Sequence, residues 1–90
     1  MRREQVAPGQ TVVREGEAGE RFYVVLAGML SVSQDSLGAR RVLRPGDYFG
    51  EVALAMDIPR TASVRALTPA TVASCDRETF DEFIRPLFAD

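Results

Sequence analysis

Apolar and polar residues alternate along this chain in short runs, which turn-forming residues interrupt about every ten residues. This spacing predicts a mainly β protein, an antiparallel sandwich or barrel. The predicted strands span residues 11–14, 22–27, 30–33, 39–43, 61–66 and 70–75. The run 22–27 is apolar throughout, which is typical of a strand that is buried on both faces.

Turn signals and loops separate these strands. Pro8-Gly9 opens the first strand, and the segments 35–38 and 44–47 each combine glycine with residues that favour turns. The loop 15–20 contains three acids, which we interpret as a solvated edge.

The period changes from two to about 3.6 after Asp76, a plausible N-cap. The residues that fall at helical spacing are Phe80, Phe83, Ile84, Leu87 and Phe88. We expect these side chains to pack against the sheet, and Pro86 predicts that the helix stops or kinks near Arg85. Cys75, at the end of the last strand, is interpreted as a small buried hydrophobe.

Composition excludes several classes of function. The net charge is −2, which argues against direct contact with nucleic acid. The chain has no histidine, no lysine and one cysteine, so it lacks a disulfide, a histidine metal site and the usual nucleophile–base pairs. We therefore expect that the protein binds no metal, has no catalytic residue and is not an enzyme. No apolar run is long enough for membrane insertion, and a cytoplasmic location, or the cytoplasmic side of a membrane protein, is expected.

The segment 49–66 carries the candidate site. Gly50 has no Cβ, so a ligand can approach its backbone closely. Residues 51–55 can form one helical turn whose first amides favour an anion, and the Glu51 carboxylate can accept a hydrogen bond from a hydroxyl.

A single arginine completes this constellation. Pro59 stiffens the approach to Arg60, whose guanidinium suits a pair of phosphate oxygens, and Thr61 and Ser63 offer hydroxyls beside it. Each feature has a simpler explanation: Arg60 can be a surface arginine paired with Asp57, and the glycine and acid can be an ordinary helix start. The features in this order favour a binding site, one in which the core does not need the Arg60 side chain.

The chain resembles the cyclic nucleotide-binding domains at two adjoining motifs, Phe49-Gly50-Glu51-Val52-Ala53-Leu54 and Pro59-Arg60-Thr61-Ala62-Ser63-Val64. These motifs are similar to the phosphate-binding cassette of protein kinase A regulatory subunits, cyclic nucleotide-gated channels and the catabolite activator protein. The resemblance extends to residues 13–17, 22–28, 45–51 and 76–80. It implies a jelly-roll-like β-roll with a short helix at the phosphate site and a C-terminal helix.

The resemblance also implies a role for individual residues. Glu51 would receive the ribose 2′-hydroxyl, and Arg60 would hold the cyclic phosphate. The other implied ligand-binding residues are Gly50, Val52, Ala53 and Ala62 around the phosphate, Val32 and Leu43 flanking the base, and Thr61.

The expected function is that of a regulatory cyclic nucleotide sensor without a cofactor. The ligand is cyclic AMP in preference to cyclic GMP, although a hydroxyl at Thr61 occurs in domains of both preferences. Residues 1–90 are expected to be one domain, a fragment or module whose effector domain lies elsewhere in a longer parent chain and whose helix over the base lies beyond residue 90. The alternative is a ligand-free β-roll of the same superfamily that serves interaction or structure.

Overall fold

Two four-stranded antiparallel sheets form most of the protein. The computed structural model describes residues 1–88, apart from the side chains of Arg40 and Phe88. The strands are β1 (Arg2–Val6), β2 (Thr11–Val13), β3 (Arg21–Ala27), β4 (Leu30–Gln34), β5 (Gly38–Leu43), β6 (Tyr48–Phe49), β7 (Ser63–Ala66) and β8 (Ala70–Asp76). One sheet has the order β1-β8-β3-β6 and the other β2-β7-β4-β5, which confirms the predicted β-roll.

Helical segments follow β6 and β8. The helix α1 (Glu51–Met56) lies within the candidate site. The C-terminal segment comprises α2 (Arg77–Thr79), a π-helical turn (Phe80–Ile84) and α3 (Arg85–Phe88). Within residues 1–88, no helix is long and apolar enough to cross a membrane.

The apolar side chains form two clusters on opposite faces of the first sheet. The larger cluster lies between the sheets and includes Val25, Leu30, Leu43 and Val72, each at most 1% exposed. The smaller cluster comprises Phe22, Leu54, Cys75 and Phe80. Because Leu54 belongs to α1 and Phe80 to the C-terminal segment, this second cluster attaches both helical segments to the sheet.

Cys75 is only 3% exposed, which confirms its interpretation as a buried hydrophobe. Burial raises the pKa of its thiol, and the neighbouring Asp76 charge acts in the same direction. The thiol therefore stays protonated and unreactive at neutral pH.

The strands depart from the prediction at the edges of the sheets. β1 was not predicted, because its residues are mostly charged and only Val6 is buried. It pairs with β8 from Arg2 to Val6, so backbone hydrogen bonds rather than apolar burial define it. The expectation that 22–27 is buried on both faces is wrong at its end, since Leu26 is 39% exposed.

The C-terminal segment confirms part of the helical prediction. The Asp76 carboxylate caps it, because its Oδ1 accepts a hydrogen bond of 2.8 Å from the Thr79 N–H. Hydrogen bonding from Thr79 lowers the pKa of this carboxyl. Helical winding does not stop at Arg85, and the irregularity is instead the π-helical turn before Pro86.

That wider turn changes which side chains face the sheet. Phe80 is fully buried and Ile84 is half-buried, as predicted. Phe83 and Leu87 are 63% and 76% exposed, so the prediction that they pack against the sheet is wrong. A π-helical turn holds more residues than an α-turn, and it therefore moves the later apolar positions off the inner face. The Phe88 side chain lies outside the described part of the chain.

Candidate functional site

A cavity of about 150 Å³ lies beside α1 at one end of the second sheet. All nine residues of the predicted site line it: Val32, Leu43, Gly50, Glu51, Val52, Ala53, Arg60, Thr61 and Ala62. Sequence reasoning missed five further lining residues: Val13, Arg41, Tyr48, Phe49 and Val64. The fold thus brings together residues that are up to 51 positions apart, from Val13 to Val64.

Both the backbone conformation at position 50 and the close packing around it require glycine. Its φ is +94°, and it occupies the N-cap position of α1. A Cβ here would lie 2.8 Å from Arg60 Nη1 and 2.9 Å from the Arg21 carbonyl oxygen. Only glycine therefore lets the chain enter α1 while Arg60 lies against it.

Arg60 is buried among backbone carbonyls. Only 7% of the residue is exposed. Its Nη1 donates to the Gly50 carbonyl at 3.2 Å, and its Nη2 donates to the Arg21 carbonyl at 2.9 Å. The expectation that the core does not need this side chain is wrong, because the guanidinium joins β3 to the start of α1. The surface pairing with Asp57 is also wrong, since Asp57 lies 3.3 Å from Arg77 instead.

The charge of Arg60 has no carboxylate partner within residues 1–88. A guanidinium has five N–H donors, and only two of those of Arg60 are engaged by the described residues. Burial lowers the pKa of Arg60 from its usual value, an effect that the fields of Tyr23, Glu20 and Glu51 oppose. A buried cation with free donors at a cavity wall favours the arrival of an anion.

Glu51 supplies the complementary acceptor. Its Oε2 is buried and accepts no hydrogen bond from the residues that the structure describes. Glu51 lies on the same cavity wall as Arg60. An unpartnered buried acceptor raises the free energy of the empty site, and a hydroxyl donor from a ligand would remove that cost.

The loop 15–20 contacts Arg60 through its backbone and its glycines, whereas its acids Glu17 and Glu20 are exposed, as expected of a solvated edge. The Gly16 N–H donates to the Arg60 carbonyl and the Arg60 N–H donates to the Glu17 carbonyl, both at 2.8 Å. A Cβ on the buried Gly19 would lie 2.6 Å from Ala53 Cβ and 2.9 Å from the Arg60 guanidinium. Two glycines three positions apart in an acidic loop were the sequence signal for this contact.

The hydroxyls next to Arg60 have different positions. Thr61 is exposed and lines the cavity, and its carbonyl accepts a hydrogen bond of 3.0 Å from Gln34 Nε2. The Ser63 hydroxyl accepts a hydrogen bond of 2.8 Å from the Glu15 N–H. Ser63 therefore fixes the loop and does not belong to the described cavity wall.

No group of three or more acids and cysteines within the described residues is arranged to hold a metal ion. The β-roll and its cavity, with one uncompensated guanidinium and one unpartnered carboxylate oxygen, define a small-molecule-binding domain.

Comparison with known proteins gives the family. The model of the cyclic nucleotide-binding domain matches residues 3–86. The chain therefore belongs to the cyclic nucleotide-binding domain family, as the motifs around Gly50 and Arg60 indicated. A relative in sequence is the cAMP-dependent protein kinase regulatory subunit of Debaryomyces hansenii, 45% identical over 78 residues, or 87% of this chain and 17% of the relative. The chain thus spans about a sixth of that protein.

Solved structures agree. The regulatory domain of Toxoplasma gondii PKA with cAMP has a TM-score of 0.90 and 31% identity, over 98% of this chain and 37% of that chain. The regulatory subunit of a cAMP-independent protein kinase A from Trypanosoma brucei also has a TM-score of 0.90, with 26% identity over 96% of this chain and 32% of that chain. The cAMP-bound domain and the domain of the cAMP-independent kinase resemble this chain equally in fold. The fold therefore does not determine which ligand is bound, and the residues at the site must do so.

Proposed function

We propose that this domain is a regulatory cyclic AMP sensor that binds its ligand in the cavity beside α1. The observation that carries the proposal is Arg60, a nearly fully buried guanidinium without a carboxylate partner in the described chain. A cyclic phosphate carries one negative charge and presents two exocyclic oxygens, which match the remaining guanidinium donors. The similarity to cAMP-dependent regulatory subunits and to a cAMP-bound regulatory domain supports this ligand.

The ribose is held by Glu51 in this proposal. Its buried Oε2 needs a hydrogen-bond donor, and the 2′-hydroxyl of a ribose 3′,5′-cyclic phosphate is the hydroxyl that remains free. The backbone at Gly50, Val52, Ala53 and Ala62 surrounds the phosphate, and the apolar side chains of Val32 and Leu43 flank the base. The bound nucleotide is a ligand and not a cofactor.

Occupancy is relayed to an effector domain elsewhere in the parent chain. The domain itself has no catalytic role, makes no direct contact with nucleic acid, inserts into no membrane and acts in the cytoplasm. Residues 1–90 form this one module. The charge, the composition and the similarity to kinase regulatory subunits support these parts of the proposal.

Calorimetric titration of residues 1–90 with cyclic AMP, cyclic GMP and 5′-AMP tests this proposal. We expect saturable binding of both cyclic nucleotides, with cyclic AMP preferred by less than about tenfold. The open 5′-AMP should bind more weakly, because its doubly charged phosphate is not held against the ribose. If neither cyclic nucleotide binds, the result would favour the alternative of a ligand-free β-roll that serves interaction or structure.

A further inference from the structure

The C-terminal end of α1 receives two guanidinium groups from the C-terminal segment. Arg85 Nη2 donates to the Leu54 carbonyl at 2.8 Å, and its Nη1 donates to the Ala55 carbonyl at 2.9 Å. Arg77 Nη1 reaches the same Leu54 carbonyl at 3.4 Å. Two arginines separated from α1 by more than 20 residues thus bind its last turn.

α1 needs such partners because it is short. It has only six residues and no basic residue of its own in the last turn. An isolated helix of this length is unstable in water, since nucleation is costly and few hydrogen bonds repay it. The terminal carbonyls of a helix also lack intrahelical donors, so external cations and N–H groups there are favourable.

The two arginines are themselves held in place. Asp81 Oδ1 lies 2.8 Å from Arg85 Nη2, one helical turn away, and the Arg85 guanidinium lies over the Phe80 ring at 5.7 Å. Arg77 Nη2 lies 3.3 Å from Asp57 Oδ1. The segment therefore presents both guanidinium groups in a fixed direction.

Arg77 also contacts the loop 15–20. Its Nη2 donates to the Gly19 carbonyl at 3.3 Å, and Gly19 packs against both Ala53 and the Arg60 guanidinium. The same arginine thus contacts α1, which carries Glu51, and the loop that lies over Arg60.

We propose that Arg77 and Arg85 are positioning residues of the nucleotide site. Neither lines the cavity, yet together they hold α1 by its carbonyl end and the loop 15–20 by Gly19. They thereby place Glu51 and Arg60 at the spacing that one ligand requires. This inference rests on the proposed function, and by linkage it requires that nucleotide binding in turn strengthens the contacts of the two arginines.

The test compares the double variant Arg77→Met/Arg85→Met with two controls in the 90-residue protein. The first control is Arg65→Met, which removes an exposed arginine of β7. The second is Val72→Ala, which destabilises the core between the sheets at a residue that neither lines the cavity nor belongs to the cluster that holds α1. All proteins are titrated with cyclic AMP at a temperature at which circular dichroism shows each of them folded.

We expect the double variant to bind cyclic AMP at least about tenfold more weakly than wild type. The single variant Arg85→Lys, which keeps Arg77, should lose less affinity. Both controls should bind with an affinity within about twofold of that of wild type. Comparable loss in Val72→Ala would show that affinity follows overall stability, and unchanged affinity in the double variant would show that the arginines do not position the site. Either result overturns the inference while leaving nucleotide binding by the wild type established.

Hydrogen exchange without nucleotide supplies a readout that does not depend on the ligand. In the double variant the amides of residues 51–56 should exchange at least about tenfold faster, whereas those of β3 and β8 should change little. If the α1 amides keep their wild-type rates, the inference fails even where the wild type proves not to bind cyclic AMP.

Discussion

Arg60 and Arg77 both contact Gly19 of the loop 15–20, but their charges are balanced in different ways. Arg77 donates to the carbonyls of Gly19 and Leu54, and it also has acids nearby, Asp57 at 3.3 Å and Glu20 at 3.8 Å. Arg60 likewise donates to two carbonyls, but no carboxylate lies within pairing distance in the described chain.

Arg60 and Arg77 also differ in how far water reaches them. The Arg77 side chain is 33% exposed, so water screens its charge, whereas Arg60 is 7% exposed as a residue. An arginine that acts only through its contacts with the protein, as Arg77 does, has its charge balanced by acids or water. A buried arginine whose charge the protein leaves unbalanced, at a cavity wall, is one that we assign to an anionic ligand.

The largest expected effect comes from removing the unbalanced charge. Arg60→Leu should weaken cyclic AMP binding by about 2–4 kcal/mol, or roughly thirty- to a thousandfold, because a charge-assisted contact in a partly desolvated pocket is lost. Arg77→Leu should cost less than about tenfold. Calorimetry on both variants checks the ranking, and equal losses would remove the distinction between the two arginines.

Arg60→Leu should also lower the free energy of unfolding without ligand. The variant leaves the Gly50 and Arg21 carbonyls without their donor, which should cost about 1–3 kcal/mol. Urea unfolding measures this, and Arg65→Leu, on an exposed β7 position, is the matched control. A variant as stable as wild type would mean that the guanidinium does not join β3 to α1.

The acceptor at Glu51 gives the next largest effect. Wild type should bind the 2′-deoxy analogue of cyclic AMP about 1–3 kcal/mol more weakly than cyclic AMP, since Oε2 then stays unpaired. Glu51→Ala should discriminate less between these two ligands. Equal affinities in wild type would assign Glu51 to the loop rather than to the ribose.

A steric change at the loop should have a smaller effect. Gly19→Ala places a Cβ within 3 Å of Ala53 and Arg60, and we expect a loss of about 1–2 kcal/mol in cyclic AMP binding. Gly16→Ala is the matched control, because Gly16 has a φ of +87° but open space around it. That control should lose stability through backbone strain yet keep most of its affinity, and the reverse order would contradict the role of Gly19.

The smallest effect concerns pH. Hydrogen bonds from Thr79 lower the pKa of Asp76 below its ordinary value of 3.8, so its contribution to stability is present above that value and is lost as the pH falls through the folded-state pKa. Asp76→Asn keeps a capping oxygen but does not titrate. Wild type should therefore lose stability relative to this variant as the pH falls through 3.8 and below, measured by urea unfolding.

Sequence reasoning was most successful where a local pattern decides the structure. The spacing of turn signals, the apolar run 22–27 and alternation elsewhere together placed six of the eight strands, and Asp76 was recognised as a cap from its residue type and the change of period. β1 was missed because an edge strand with one buried residue leaves almost no apolar signal. The exposed Phe83 and Leu87 were mispredicted because a π-helical turn cannot be inferred from 3.6-residue spacing.

At the site, too, the residues in local motifs were predicted and the long-range contacts were not. Seven of the nine predicted residues that line the cavity lie in the two motifs 49–54 and 59–64, which are close together in the chain, whereas Val32 and Leu43 come from β4 and β5 and were predicted from the resemblance. The contacts of Gly19, Arg77 and Arg85 with this region join segments more than 20 residues apart, from Gly19 and α1 to the C-terminal segment. No local pattern encodes such distances, so only the structure reveals them.

The most direct test of the central claim is a crystal structure of residues 1–90 with cyclic AMP. We predict an exocyclic phosphate oxygen within about 2.7–2.9 Å of an Arg60 nitrogen, and the 2′-hydroxyl within hydrogen-bond distance of Glu51 Oε2. The Gly50 and Arg21 carbonyls should keep their contacts with the guanidinium. A phosphate bound away from Arg60, with that guanidinium still unpaired, would contradict it.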